Sequence, residues 1–196
     1  MNQGVRYSTV VTSAPAVEPV SVAEAKTHMN VTIATDDTFI GTLITAARRY
    51  VEQVTGRQLI TATWRLSMDR FPCEIQLPYP PYSSTTSIVY TDSAGTSTTL
   101  ASTAYEIDSD AEPVRIRPAW GYTWPTTREV YRAVQVTYVA GYGAAGTSAP
   151  ADILAAMKSI IATMYEFREP VVTGTIVQRV EDVSMMLLWP YRVLTF

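Results

Sequence analysis

Between Gln58 and Ala140 the hydrophobic period of the chain is two, and on either side of that stretch it is helical. Ile60, Ala62, Trp64, Leu66 and Met68 alternate with Thr61, Thr63, Arg65, Ser67 and Asp69, the pattern of a half-buried strand. Glu-Ile-Gln-Leu at 74–77 predicts a second short strand, stopped by Pro-Tyr-Pro-Pro-Tyr. Residues 87–100 predict a hairpin turning at Asp92–Gly95. Further strands are expected at 104–108 and 113–118, and the last and longest at 130–140, after the aromatic loop Trp-Gly-Tyr-Thr-Trp-Pro. Many short strands joined by turn signals specify an antiparallel sheet or small barrel.

The flanks read as helices. Ser21-x-x-Glu24 is a capping box in which serine and glutamate satisfy each other's backbone N–H groups, so a short helix is expected over 21–29. Ile40, Leu43, Ile44, Ala47, Val51 and Val54 recur on one helical face. Asp36 and Asp37 suit the positive end and Gly56 the left-handed residue past the last turn, which predicts a helix over 36–55. A third helix is expected from Pro150, tolerated at a first helical position, to residue 168, since Pro170 disfavours helix at Glu169. Its Ile153, Met157, Ile160, Ile161 and Met164 form an apolar face. Ala155, Ala156, Ser159, Ala162 and Thr163 form a second face of small residues, suited to close packing against the first long helix or another subunit. The class is therefore α+β: N-terminal helices and a long C-terminal helix packed with a central antiparallel sheet or small barrel. Residues 1–20 are an extended N-terminal segment, 21–169 the main domain, and 170–196 an extended C-terminal arm.

Composition narrows the chemistry. With 47 % apolar residues the 196-residue chain can fold a sizeable core, yet only 17 % of it is charged, below the usual quarter, which suggests a surface partly covered by other protein. A net charge of −3 announces no basic face for nucleic acid. One cysteine, Cys73, and one histidine, His28, cannot make an internal disulfide or supply a zinc site, so no metal or other cofactor is expected. Cys73 is expected to be a small buried apolar residue. The N-terminus lacks the n- and h-regions of a secretory signal, and no apolar stretch is long enough to cross a bilayer. Glu106, Asp108 and Asp110 are expected on one strand face as a solvated or channel-facing acidic patch, a calcium site being the alternative reading. Arg115, Arg117, Arg128 and Arg132 are expected on neighbouring strands, pairing with carboxylates across a subunit interface.

Gly141-x-Gly143-x-x-Gly146 has the spacing of a dinucleotide cradle. Such a cradle requires the helix to begin inside the motif and an acidic residue at the end of a following parallel strand. Here the helix begins near Pro150 and Glu166 and Glu169 lie on the helix, so the glycines are read as a structural turn from strand to helix. A nucleotide-binding enzyme using this loop is the competing reading.

Several stretches resemble, in order, the head–tail connector (adaptor) proteins of long-tailed bacteriophages and related gene-transfer particles. These are the opening Glu-Pro-Val-Ser at 18–21 and the helix ending in Glu52, Thr55, Gly56 and Arg57. The others are Leu-Pro-Tyr-Pro-Pro at 77–81, Tyr138 with Gly141-Tyr142-Gly143 and Pro150, Tyr165-Glu166-Phe167-Arg168-Glu169, and Leu-Leu-Trp-Pro-Tyr-Arg at 187–192. The resemblance spans roughly residues 18–192. It implies a structural virion protein, not an enzyme, located in the neck of the particle and in the host cytoplasm before assembly. It further implies a homo-oligomeric ring of twelve copies below the portal protein, extending the DNA channel and offering its lower face to a stopper or tail-terminator protein. Double-stranded DNA would pass without sequence-specific contacts, and twelve copies at −3 each would carry −36, a repulsive lining for a conduit. Another neck or tail-completion protein is a further reading.

The chain closes on Met185, Met186, Leu187, Leu188, Trp189, Pro190, Tyr191, Arg192, Val193, Leu194, Thr195 and Phe196, with one charge among twelve residues and no visible period. Such a tail must be buried, on its own domain or on a partner. Burying about five such side chains is worth roughly 1.5–3 kcal/mol each before ordering costs. The expected role is an arm that docks on the portal or a neighbouring subunit.

Overall fold

The computed structural model describes residues 6–167 and 183–193. It is α+β and falls into two compact units, one of sheets and one of helices.

The sheet unit comprises residues 6–14 and 61–141. Its strands are β1 (Tyr7–Ser13), β2 (Ala62–Met68), β3 (Ile75–Leu77), β4 (Tyr82–Thr91), β5 (Ser97–Thr99), β6 (Tyr105–Asp108), β7 (Val114–Pro118) and β8 (Val134–Ala140). Five form one antiparallel sheet in the order β1-β2-β8-β4-β5, and three form another in the order β3-β7-β6. β8 is central, and its alternation is strict: Val134, Val136, Tyr138 and Ala140 are buried. Leu66 and Met68 stand opposite Val136 and Val134 in β2, and Ile75, Leu77, Val114 and Ile116 complete the same core. Tyr138 is the largest fully buried side chain. Burial pushes its phenol pKa well up, so the hydroxyl stays protonated and donates to the Pro78 carbonyl at 2.8 Å.

Three details depart from the sequence reading. The N-terminal segment contains a regular strand, β1, paired to β2 from Tyr7 to Val11 without interruption. β4, at ten residues, is longer than β8. Arg128 and Arg132 lie in the connection before β8, not on strands, because Arg132 adopts φ 58° and its N–H is held by Asp69. The hairpin turn at Asp92–Gly95 forms as expected: the Asp92 carboxylate accepts from the N–H groups of Ala94 and Thr96.

Of the described residues, the helical unit comprises 15–60, 142–167 and 183–193. It holds α1 (Val22–Met29), α2 (Asp37–Thr55), α3 (Ala151–Glu166) and α4 (residues 183–188). The capping box is made: Ser21 Oγ accepts from the Glu24 N–H at 3.2 Å, and Glu24 accepts from the Ser21 N–H at 2.9 Å. Ile40, Ile44, Ala47 and Val51 of α2 pack with Ile153, Ala156, Met157 and Ile161 of α3. Pro150 is the residue before the first turn of α3, one position earlier than expected.

Candidate partner-docking surface

Glu52 lies in the last turns of α2, where the chain must turn towards the strands. Its carboxylate accepts from Arg48 (2.9 Å), Gln58 Nε2 (2.7 Å) and the Leu59 N–H (3.2 Å). Burial raises its pKa, while Arg48 and the Leu59 N–H pull the other way. Arg48 also donates to Glu18 at 2.7 Å, so one guanidinium ties the entry of the helical unit to the end of α2. Thr55 bonds back to the Val51 carbonyl, and Gly56 takes the left-handed conformation that ends the helix. Arg57 Nε then donates to the Tyr191 carbonyl at 2.6 Å, and the Thr55 carbonyl accepts from the Val193 N–H at 2.8 Å. The Glu52–Arg57 motif is thus a junction: it caps α2, satisfies the chain that leaves it and clamps the C-terminal tail.

The tail is held further by its side chains. Leu188 is fully buried in the helical core, and Leu187 and Tyr191 pack against it. The Tyr191 hydroxyl donates to Asp152 at 3.1 Å. The opposite side of α4 is a ridge: Val183 is exposed, Met186 is 77 % exposed and Trp189 64 %, and the Arg192 guanidinium stands 4.9 Å from the Trp189 ring centroid. Pro190 and Arg192 are exposed, and Met185 and Val193 half-buried. Leu194 and Phe196 lie outside the described residues, as do residues 170–182 of the expected arm. Residues 183–193 therefore have two faces, one in their own chain's core and one offered to solvent. The inward face falls at Ser184, Leu187, Leu188 and Tyr191, a helical spacing that the sequence reading passed over.

The small-residue face of α3 also divides. Ala156 is buried in the helical core, Ala155 is exposed, and Ser159, Ala162 and Thr163 are half-buried. Ser159 and Thr163 each return a hydrogen bond to the carbonyl four residues before them.

The glycine segment has no dinucleotide geometry. The strand before it, β8, is antiparallel to both neighbours, and α3 starts five residues after Gly146. Gly141 sits at φ 130°, where a side chain is strained. A Cβ on Gly146 would lie 2.7 Å from the Glu18 carbonyl oxygen and 3.0 Å from that of Pro19, so the backbone at the start of the helical unit passes where a side chain would be. Gly143 lies between them, against Ser148.

Arg115 and Arg117 are corrected as well. They pair with Asp108 and Glu106, which face them directly across β6 and β7 of the same chain. Cross-strand register supplies within one sheet the partners that were expected across an interface. Cys73 is exposed, not buried, because it lies in the loop before β3. His28 is exposed at the end of α1. Of the aromatic loop, Trp124 stacks on Phe71 at 4.6 Å, while Trp120 is 96 % exposed. Among the described residues there is no cluster of three potential metal ligands, and no helix is long and apolar enough to cross a membrane.

Residues 19–89 match the family model of the phage gp6-like head–tail connector protein. This match covers α1, α2 and the junction that holds the tail, together with β2, β3 and most of β4. Over nearly the full length, the chain has the fold of solved structures of gene transfer agent particles. A chain from the neck of an empty particle, solved with C6 symmetry, superposes with a TM-score of 0.81 at 23 % identity, over 96 % of this chain and 97 % of that one. A chain from the virion of a native particle gives 0.78 at 22 % identity, over 96 % of each. One from the neck of a native particle, solved with C12 symmetry, gives 0.71 at 22 % identity, over 95 % and 97 %. No curated protein matches the chain.

Proposed function

We propose that this protein is a structural head–tail connector. Its copies close into a ring of twelve in the neck of a virion or gene-transfer particle, extend the DNA channel below the portal and give the tail its attachment surface. The observation that carries the reading is the near-complete fold match to neck subunits, joined to the gp6-like connector segment at 19–89. The chain's own geometry agrees with an assembly role. The apolar ridge of Met186 and Trp189 is mounted on a segment pinned by Arg57, Leu188 and Tyr191, which is how a rigid anchor is presented to a partner. In the particle that ridge docks on the portal, and twelve such contacts around a ring hold firmly even where each is weak. The ion-paired face of β6 and β7 carries its arginines already neutralised, which suits a passage that DNA crosses without being held.

The test is attachment. The Met186→Asp, Trp189→Ala double variant leaves Leu187, Leu188 and Tyr191 in place, so the chain should fold as before. In reconstitution with portal-bearing heads, the parent chain should co-sediment with the heads and the variant should not. A parent chain that never binds heads refutes the connector reading, and a variant that binds equally well refutes the ridge as its docking face.

A further inference from the structure

Edges of β-sheets are normally protected against pairing with other chains by charge, proline or brevity. Three of the free margins in the sheet unit are protected in this way. β3 is three residues long and followed by Pro78, β6 carries Glu106 and Asp108, and β5 is three residues long. Two stretches lack that protection. β1, Tyr-Ser-Thr-Val-Val-Thr-Ser, forms one margin of the five-stranded sheet with no charge and no proline, and Tyr7 (74 % exposed), Val10 and Val11 all open to solvent. At the other margin β5 covers only Val89–Thr91 of β4, which leaves residues 82–87, Tyr-Ser-Ser-Thr-Thr-Ser, with β8 on one side and no described strand on the other. Ser83, Ser84 and Thr86 there are exposed.

We propose that these two margins pair between copies: β1 of one chain fills the step beside residues 82–87 of the next, in line with that chain's β5. The proposal rests on the ring reading and supplies its subunit contact. Length fits, since the uninterrupted run Tyr7–Val11 spans about 17 Å and the step about 20 Å at the usual rise of a strand. Chemistry fits, since both stretches are uncharged and made of hydroxyl, aromatic and β-branched residues. Direction fits as well. β1 and β4 run antiparallel within one sheet, because each neighbouring pair between them is antiparallel. A rotation about a ring axis preserves each strand's sense along that axis, so the neighbour's β1 arrives antiparallel to β4. Opposite margins of a single sheet make a heterologous contact, the kind that closes rings. The register shifts at Tyr82/Ser84 and Thr85/Ser87 lie in the pairing with β8 and bend this half of β4 away from a flat sheet, so the slot selects a matching strand over a generic one.

The experiment uses the full-length chain with Cys73→Ser as background, carrying Ser8→Cys together with Ser84→Cys or Thr86→Cys, assembled on portal-bearing heads and then oxidised. A ladder of covalently linked chains is expected from at least one double variant. Mixed single variants should give only heterodimers of a Ser8→Cys chain with a Ser84→Cys or Thr86→Cys chain. Val10→Pro, which removes a strand N–H, should raise the concentration needed for half-assembly at least about tenfold with an unchanged circular dichroism spectrum. Rings that form without any such cross-link overturn the edge pairing alone. Homodimers through Ser8→Cys show instead a two-fold β1–β1 contact and also overturn it. A chain that binds heads only as separate monomers overturns this pairing and the ring, and one that never binds heads overturns the connector reading itself.

Discussion

Leu188 and Trp189 are adjacent, similarly apolar, and placed to do opposite things. Leu188 is fully buried and belongs to the core of the helical unit. Truncating it to alanine removes buried methyl groups and leaves a space that the clamped tail, fixed by Arg57 and by the Thr55 carbonyl, cannot collapse into. Buried leucine-to-alanine changes cost about 2–5 kcal/mol. At roughly 2–4 °C per kcal/mol for a chain of this size, the transition of the helical unit should fall by about 4–20 °C. Trp189 is mostly exposed, and its one described ring contact is with Arg192. Trp189→Ala should change stability by no more than about 0.5 kcal/mol, the range of ordinary surface changes, yet weaken attachment to heads. Thermal unfolding by far-ultraviolet circular dichroism reads the first effect and co-sedimentation the second. If Leu188→Ala unfolds with the parent, or Trp189→Ala is as destabilising as Leu188→Ala, the division of the tail into an inner and an outer face is wrong.

Glu52→Ala removes the acceptor of three hydrogen bonds, those from Arg48, Gln58 Nε2 and the Leu59 N–H, in a largely buried place. About 2–3 kcal/mol should be lost in urea unfolding, with Glu18 retaining part of the Arg48 pairing, and Glu52→Gln should lose less. Gly146→Ala drives a methyl group against the carbonyls of Glu18 and Pro19 and should cost roughly 1–3 kcal/mol by the same assay, whereas a loop with room to spare would absorb it. The Glu24 carboxyl, held below its ordinary value by the Ser21 backbone N–H and then by the Ser21 hydroxyl, gives a pH signature. The unfolded chain binds the proton more readily than the folded one, so the cap's contribution is complete above the ordinary glutamate value and is lost as pH falls through the lowered folded value. Ser21→Ala should cost about 0.5–2 kcal/mol at neutral pH and, since the backbone N–H remains, reduce that acid limb without abolishing it in urea titrations repeated across pH.

How far the sequence reveals the fold depends on whether each segment has one wet face and one dry face. α2 does, with Ile40, Ile44, Ala47 and Val51 inward and charged or polar residues outward, and its limits were legible to within a residue. β8 does, and its alternation stands unbroken from Val134 to Ala140. The capping box and the Asp92 turn were legible because their chemistry is local. β1 and α4 do not meet the condition. On β1 every residue but Thr9 is exposed, with Tyr7, Val10 and Val11 open to solvent on both sides of the strand, so no alternation is written. On α4 the outward residues Met186 and Trp189 are as apolar as the inward Leu187 and Leu188, so the helical period is present in the packing and absent from the hydropathy. Polar outward faces are what make a period visible, and a segment keeps a polar outward face only where water is its final neighbour. The two segments whose period is hidden are also the two that expose large uncharged apolar side chains, Tyr7, Val10 and Val11 on one and Met186 and Trp189 on the other. The same physical cause hides the period in both, and the side chains responsible are the ones that the proposed docking and edge pairing would cover.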